Sequence, residues 1–311
     1  VSNIQWTDKT VNPIHLRDEN GSHSGHWCRK VSPGCENCYS ELQNQAAFFP
    51  WASHMRYSGD IPHNLVFDHA QVESWATARK PTRRFVCSMT DLFGEWVSRE
   101  WQFAVFDGAA AAPRQTIQLL TKRPAIAVEA VDEWLVSRDR SKLPGNIWMG
   151  VSVEDQARAD RRVSEFKGMR DVAEILFVSY EPALQLVNWS GWEFIDWLII
   201  GGESGAEARV FHADWARVAL QWCRENNVAP FVKQLGSFPV CDRSDDAPVT
   251  EPIKFEGKNA CSCWVQTEFT QHGWSGDKYR IKCVGKGGNP EEWPLDLRVR
   301  EFPVVKNNEA N

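Results

Sequence analysis

"EILFVSYEP", residues 174–182, decides the fold. Its core of Ile, Leu, Phe and Val shows no apolar–polar alternation, and it ends in Ser179, Tyr180 and Glu181. A strand with one wet face would alternate, so this run reads as a strand covered on both faces. The same grammar recurs outward along the chain. "NIWMGVSVE" (146–154), "TIQLLTKRP" (116–124) and "RRFVCSMTD" (83–91) precede it; "DWLIIGGES" (196–204) and "APFVKQLG" (229–236) follow. "NIQWT" (3–7) is a weaker candidate for a first strand.

Helix-like stretches separate the runs, at 38–48, 98–112, 124–137, 155–167 and 213–226. In the last of them Trp215, Val218, Ala219 and Trp222 are expected on one face. Asp155 and Asp214 fall near helix starts, where a carboxylate is favourable. Alternating strands and helices predict a parallel α/β fold. Six or seven units, with no G-x-G-x-x-G near the start, suit a full or partial (β/α) barrel better than a doubly wound sheet. The core is expected over residues 1–236. Residues 237–311, rich in Gly, Pro, Asp and Ser, read as a small C-terminal extension packed on it, with "ACSCWVQTEFT" and "KYRIKCV" as short antiparallel strands.

Composition bounds the rest. Hydrophobic residues make up 42 % and charged residues 24 %, which is ordinary for a globular protein. The net charge of −6 excludes a generic polyanion binder, so any nucleic-acid contact must be local. No apolar run is long enough for a membrane helix. The opening residues do not read as a signal peptide, so a cytoplasmic, reducing setting is expected for the nine cysteines.

In a parallel barrel the active site forms at the carboxyl ends of the strands. Those ends carry Ser88 and Asp91; Thr121, Lys122 and Arg123; Ser152 and Glu154; Ser179 and Glu181; Gly201, Gly202, Glu203 and Ser204; and Lys233 and Gln234. The arginines of "TARKPTRR" (77–84) precede their strand and are expected on the opposite rim, serving solubility.

"WCRKVSPGCENCYSE", residues 27–41, gathers Cys28, Cys35 and Cys38 and then stops. Four thiols would close a metal site; three leave a position open. A zinc site completed by His23 or His26 is one reading. A redox C-x-x-C at Cys35 and Cys38, or three unrelated core cysteines, are others. The fourth is a [4Fe–4S] cluster on three thiolates with one iron open to a cofactor. Spacing alone leaves these open. Cys241, Cys261, Cys263 and Cys283 are either a second metal site or buried small hydrophobes. Cys87 and Cys223 read as core.

Taken with that loop, "IQWTDKTVNPI", "KVSPGCENCYSE", "FVCSMTDLFGE", "LLTKRP", "GVSVEDQ", "VSYEPAL", "DWLIIGGESG", "FVKQLG" and "EEWPLDLRVREFP" resemble a phage- and mobile-element-associated family of radical-SAM-like proteins, distantly similar to spore photoproduct lyase. The resemblance implies a barrel of radical SAM type. It implies that Cys28, Cys35 and Cys38 hold a [4Fe–4S] cluster and that S-adenosylmethionine completes it, yielding a 5′-deoxyadenosyl radical. Ser88 and Asp91 would then lie near the methionine end. Ser152 and Glu154 would contact ribose or carboxylate, and Gly201, Gly202 and Glu203 would line the adenosine side. Lys122, Arg123, Glu181 and Lys233 are expected to act on substrate. The implied partners are a one-electron reductant protein and modified DNA or a nucleotide, with no membrane. The implied reaction is isomerisation of a hypermodified thymidine in a phage-infected or prophage-bearing cell. A peptide or metabolite substrate, or a non-catalytic zinc module, are the alternatives. The sequence departs from the common radical SAM spacing: the first gap is six residues rather than three, and Asn37 stands where an aromatic is usual, with Tyr39 following.

Overall fold

The computed structural model describes residues 4–46, 55–241, 249–252 and 279–305. In chain order the first elements are β1 (Lys9–Val11), β2 (Ile14–Leu16), α1 (Tyr39–Gln45), β3 (Leu65–Phe67) and α2 (His69–Thr77). β4 (Thr82–Val86), α3 (Arg99–Ala110), β5 (Gln115–Thr121), α4 (Pro124–Ser137), β6 (Ile147–Ser152) and α5 (Gln156–Phe166) follow. The chain continues through β7 (Ile175–Tyr180), β8 (Trp197–Gly201), β9 (Phe211–His212), α6 (Ala213–Asn226) and β10 (Ala229–Gln234). Three short strands complete it: β11 (Pro239–Cys241), β12 (Val249–Pro252) and β13 (Tyr279–Ile281).

Seven strands form one sheet in the order β1-β4-β5-β6-β7-β8-β10, every pair parallel. The sheet curls into a half-barrel flanked by helices. All six apolar runs quoted above are strands of it. The first strand is not "NIQWT" but Lys9–Val11, which pairs with β4. Trp6 instead packs inside the curl. The sequence signal favoured the apolar segment, whereas the pairing strand is short and largely exposed.

Alternation within each strand sorts the two faces. Val86, Leu119, Met149, Val178, Ile200 and Val232 join the core that contains the helix residues Val105, Phe106, Ala127 and Val131. Phe85, Trp148, Phe177, Trp197, Ile199 and Phe231 point the other way and form a separate cluster with Trp6. The concave face is therefore floored by aromatics. Gly150 makes room for them: a Cβ there would lie 2.3 Å from the Phe177 ring.

The helices start on clear signals. Asp155 caps α5 by accepting from the Arg158 N–H at 2.9 Å, and Ser98 and Asp68 cap α3 and α2 in the same way. In α6 the buried stripe is Trp215, Ala216, Ala219, Leu220 and Cys223. Val218 points outward and is exposed, contrary to the expected face. The cause is the 3.6-residue period, which puts 218 off a stripe centred on 219. Helix α2 and the antiparallel pairing of β2 with β3, which α1 separates along the chain, were not expected. The helix expected over 38–48 is observed as Tyr39–Gln45.

The later chain does not stand apart from the barrel. β11 pairs with β9 and β13. Residues 299–301 run along β10, with the Val232 N–H donating to Val299 at 2.8 Å and the Glu301 N–H to Pro230 at 2.9 Å. Phe302 completes the floor against Trp197 and Phe231, under the Arg83 guanidinium. "KYRIKCV" does contain a strand, Tyr279–Ile281, whereas "ACSCWVQTEFT", with Cys261 and Cys263, lies outside the described residues. Among the described residues no helix is long and apolar enough to cross a membrane.

Candidate active site at the mouth of the half-barrel

The aromatic floor gives way to polar residues toward the carboxyl ends of the strands. Ser152 and Ser179 stand in register on β6 and β7, both buried. They line a cavity of about 1350 Å³ with Ser88, Asp91, Lys122, Arg123, Glu181, Gly202, Glu203, Lys233 and Gln234. Cys28, Cys35 and Cys38 line the same space.

The cysteine loop lies across the mouth, and the strand ends hold it beside each thiol. Near Cys28, Arg123 donates from Nη2 to the Arg29 carbonyl at 3.1 Å, and Thr90 Oγ1 donates to the Trp27 carbonyl at 2.7 Å. Before Cys35, Ser32 Oγ donates to Glu154 Oε1 at 2.6 Å. Gly34 packs so closely there that a Cβ would lie 2.5 Å from Glu154 Cγ. Before Cys38, Asn37 Nδ2 donates to Glu203 Oε2 at 3.0 Å. After it, the Tyr39 hydroxyl donates to the Ser88 carbonyl at 2.5 Å. Four different strand ends thus fix one loop, which a lone loop of polar sequence could not do for itself.

These anchors are themselves buried ion networks. Glu154 is fully buried and takes Arg162 Nη1 at 2.7 Å and Lys122 Nζ at 3.3 Å. Burial opposes its ionisation, but Lys122, Arg162 and Ser32 hold its carboxyl below the ordinary value. Asp91 accepts from Thr121 Oγ1 at 2.8 Å, Lys122 N at 3.1 Å, Phe93 N at 3.0 Å and Arg123 Nη1 at 3.0 Å. Arg123 also reaches Glu95 at 3.0 Å and lies over the Trp96 ring. Glu203 is gripped by Arg209 at 2.6 Å.

Burial, then Asp91 and the two neighbouring thiols, push the Cys28 thiol far above its ordinary pKa. Burial opposes the charge on Lys122, but Glu154 foremost raises it above its ordinary value. Among the described residues no group of three or more His, Cys, Asp or Glu is drawn to metal-holding distances. His15, His23 and His26 form their own ring chain, with centroids 4.9 Å apart at each step.

Most of the residues expected at the site meet at this cavity. Ser88, Asp91, Ser152, Gly202 and Glu203 do line the cavity. Glu154, expected to touch a cofactor, instead lies buried under the loop with both oxygens taken. Gly201 packs against Glu181 rather than lining the space. Lys122 and Arg123, expected beside substrate, are committed to Glu154, Asp91 and Glu95. Lys233 and Glu181 form an ion pair on the opposite wall and do face the cavity. Sequence reasoning missed Ser32, Arg162 and Arg209. One signal for Arg162 was present: it falls on the buried stripe of α5 with Ala159 and Phe166, where a cation demands a carboxylate. Cys87 and Cys223 are core, as expected, and Cys241 is buried too. Cys87 adopts a left-handed conformation, φ 61°, as the chain turns from β4 into the rim.

This arrangement makes a testable statement about Glu154. Replacement by Gln keeps an acceptor for Ser32 but removes the charge facing two cations. It is expected to cost about 1.5–3 kcal/mol, the worth of hydrogen bonds to a charged group. Urea unfolding of E154Q beside the parent measures it; an unchanged midpoint would show that the network does not hold the loop.

A family model described as "Protein of unknown function (DUF5131)" matches residues 1–277. No curated protein matches the chain, and no solved structure matches it.

Proposed function

The chain belongs to the DUF5131 family, and for it we propose radical S-adenosylmethionine chemistry at the mouth of the half-barrel. The observation that carries this reading is the placement of Cys28, Cys35 and Cys38 around one polar cavity, each beside a bond from a strand end. The donor set is wholly thiol, and soft thiolates are what an iron–sulfur cluster takes. Mutual repulsion among three gathered thiolates would be relieved when cationic iron shares their charge. Residues and group therefore fit. A bound [4Fe–4S] cluster with S-adenosylmethionine would supply one-electron cleavage of the cofactor to methionine and a 5′-deoxyadenosyl radical.

The chain's own residues would do the rest. Ser152, Ser179, Gly202 and Glu203 offer polar contacts to the cofactor within the cavity. The aromatic floor closes the base of the space and keeps bulk water from that side. Lys233 and Glu181, paired on the far wall, are the groups in position to orient a substrate and to move a proton on it. Lys122, Arg123 and Glu154 are positioning residues for the loop. For substrate we propose a modified nucleobase, rearranged without change of mass, in hypermodified thymidine of phage-type DNA. Such a base would have to leave the duplex to enter the cavity.

The test is direct. Reduced with a strong one-electron donor under anaerobic conditions, the protein should convert S-adenosylmethionine to 5′-deoxyadenosine and methionine. Glu181→Gln and Lys233→Met should leave that uncoupled cleavage in place and lower conversion of DNA carrying an amino-acid-modified thymine. Mass spectrometry of digested nucleosides, with deuterium followed into 5′-deoxyadenosine, reads both. Stoichiometric zinc without iron would reject the reading, and deuterium transfer only from a peptide or metabolite would replace its substrate.

A further inference from the structure

The three thiols at the mouth differ in what stands beside the sulfur. Ser40 Oγ lies 3.1 Å from Cys38 Sγ. Ser32 Oγ lies 3.6 Å from Cys35 Sγ, but its proton goes to Glu154 Oε1 at 2.6 Å. Cys28 Sγ faces an acceptor, the Arg29 carbonyl, at 3.9 Å. Among the described residues Ser40 is thus the one hydroxyl placed to donate to a sulfur of the loop.

Ser40 is only 4 % exposed, in the first turn of α1, so its proton is used inside the protein. It has two partners, the Cys38 sulfur and the Tyr57 hydroxyl. Tyr57 is held in place. Its N–H donates to Glu41 Oε1 at 2.8 Å, and its hydroxyl donates to the Met89 carbonyl at 2.9 Å. Lys30 holds Glu41 in turn, at 2.5 Å. The Tyr57 oxygen therefore offers Ser40 a neutral acceptor. A thiolate offers a charged one, and hydrogen bonds to a charged acceptor are roughly twice as strong. A sulfur bound to iron also carries no proton, so within the pair only Ser40 can donate.

We propose that Ser40 donates a hydrogen bond to the Cys38 thiolate and thereby raises the reduction potential of a cluster held there. This rests on the reading of Cys28, Cys35 and Cys38 as cluster ligands. One electron from a low-potential donor adds one negative charge to the cluster and its thiolates, with no bond made or broken. A hydrogen-bond donor aimed at a sulfur stabilises the state with the extra charge more than the state without it. The effect is confined to one ligand, since Cys28 and Cys35 have no such hydroxyl among the described residues. Ser40 acts through Cys38, as a positioning residue, and sets how strong a reductant the site requires.

The experiment uses the full chain, prepared anaerobically with iron and sulfide and titrated with dithionite in the presence of redox mediators. Ser40→Ala should keep the parent's iron content and make reduction roughly tenfold less favourable, a shift of about 59 mV to more negative potential. Ser40→Thr keeps the hydroxyl and should return the potential to that of the parent. Tyr57→Phe removes the competing acceptor and keeps the ring, so its potential should not fall. After exchange into deuterated water, electron–nuclear double resonance of the reduced parent should show a strongly coupled deuteron that Ser40→Ala lacks. The parent's signal alone keeps the test open if Ser40→Ala loses its cluster. A parent without that deuteron, a Ser40→Ala variant at the parent's potential, or a Tyr57→Phe variant that falls as far as Ser40→Ala overturns the proposal and leaves the cluster in place. A parent that binds zinc and no iron rejects the cluster itself, and this proposal with it.

Discussion

Replacing Cys28, Cys35 and Cys38 together with Ala should leave the anaerobically prepared protein colourless, where the parent should be brown and carry about four irons per chain. Each single replacement should remove most of the iron, because the three thiolates would be the whole protein ligand set of the proposed cluster. Cys87→Ala and Cys223→Ala serve as controls: both residues are buried, and Cys223 lies on α6 away from the loop. They should keep full iron. Full iron in the triple variant would end the cluster assignment and, with it, the proposed chemistry.

The largest effect on folding is expected at Trp197. Its ring lies 6.1 Å from Trp6, 5.9 Å from Trp148, 5.7 Å from Phe177, 5.8 Å from Phe231 and 5.3 Å from Phe302. Its indole N–H donates to the Glu301 carbonyl at 2.8 Å. No other side chain of the floor joins so many of its rings. Trp197→Ala should destabilise the protein by about 3–5 kcal/mol, the range for emptying a buried aromatic site. Equilibrium urea unfolding followed by circular dichroism measures it. A loss below about 1 kcal/mol, within the range of a surface substitution or a volume-conserving swap, would mean that the floor collapses to fill the space.

The strands of the half-barrel were legible because each needed cover on both faces, and that need wrote an unbroken apolar run into the sequence. β1 left no such trace. It is three residues long, mostly exposed, and held by pairing to β4 rather than by its side chains. The β2–β3 pair, joined across a long segment that includes α1, and helix α2 likewise follow from what they pack against. At the mouth, residue types were legible and partners were not. Asp91, Glu154 and Glu203 could be found at strand ends, but nothing local told that Arg123, Arg162 and Arg209 would occupy them. Those pairings depend on how the strand ends and helices are placed around the curl. A charged rim therefore read as a binding surface when much of it is the cradle of a loop. Lys233 and Glu181 lie in the cavity paired with each other rather than with an arginine of the rim.

The position of Phe302 sets an order on biosynthesis. It closes the floor against Trp197, Phe231 and Arg83, and residues 299–301 cover the outer edge of β10. Every strand of the curled sheet leaves the ribosome before that segment does. Until residue 302 emerges, the nascent chain carries an uncovered parallel edge beside bare aromatic rings, the kind of surface that other chains add to. In the interval between translation of β10 and of Phe302 that edge and those rings are open to association with other chains.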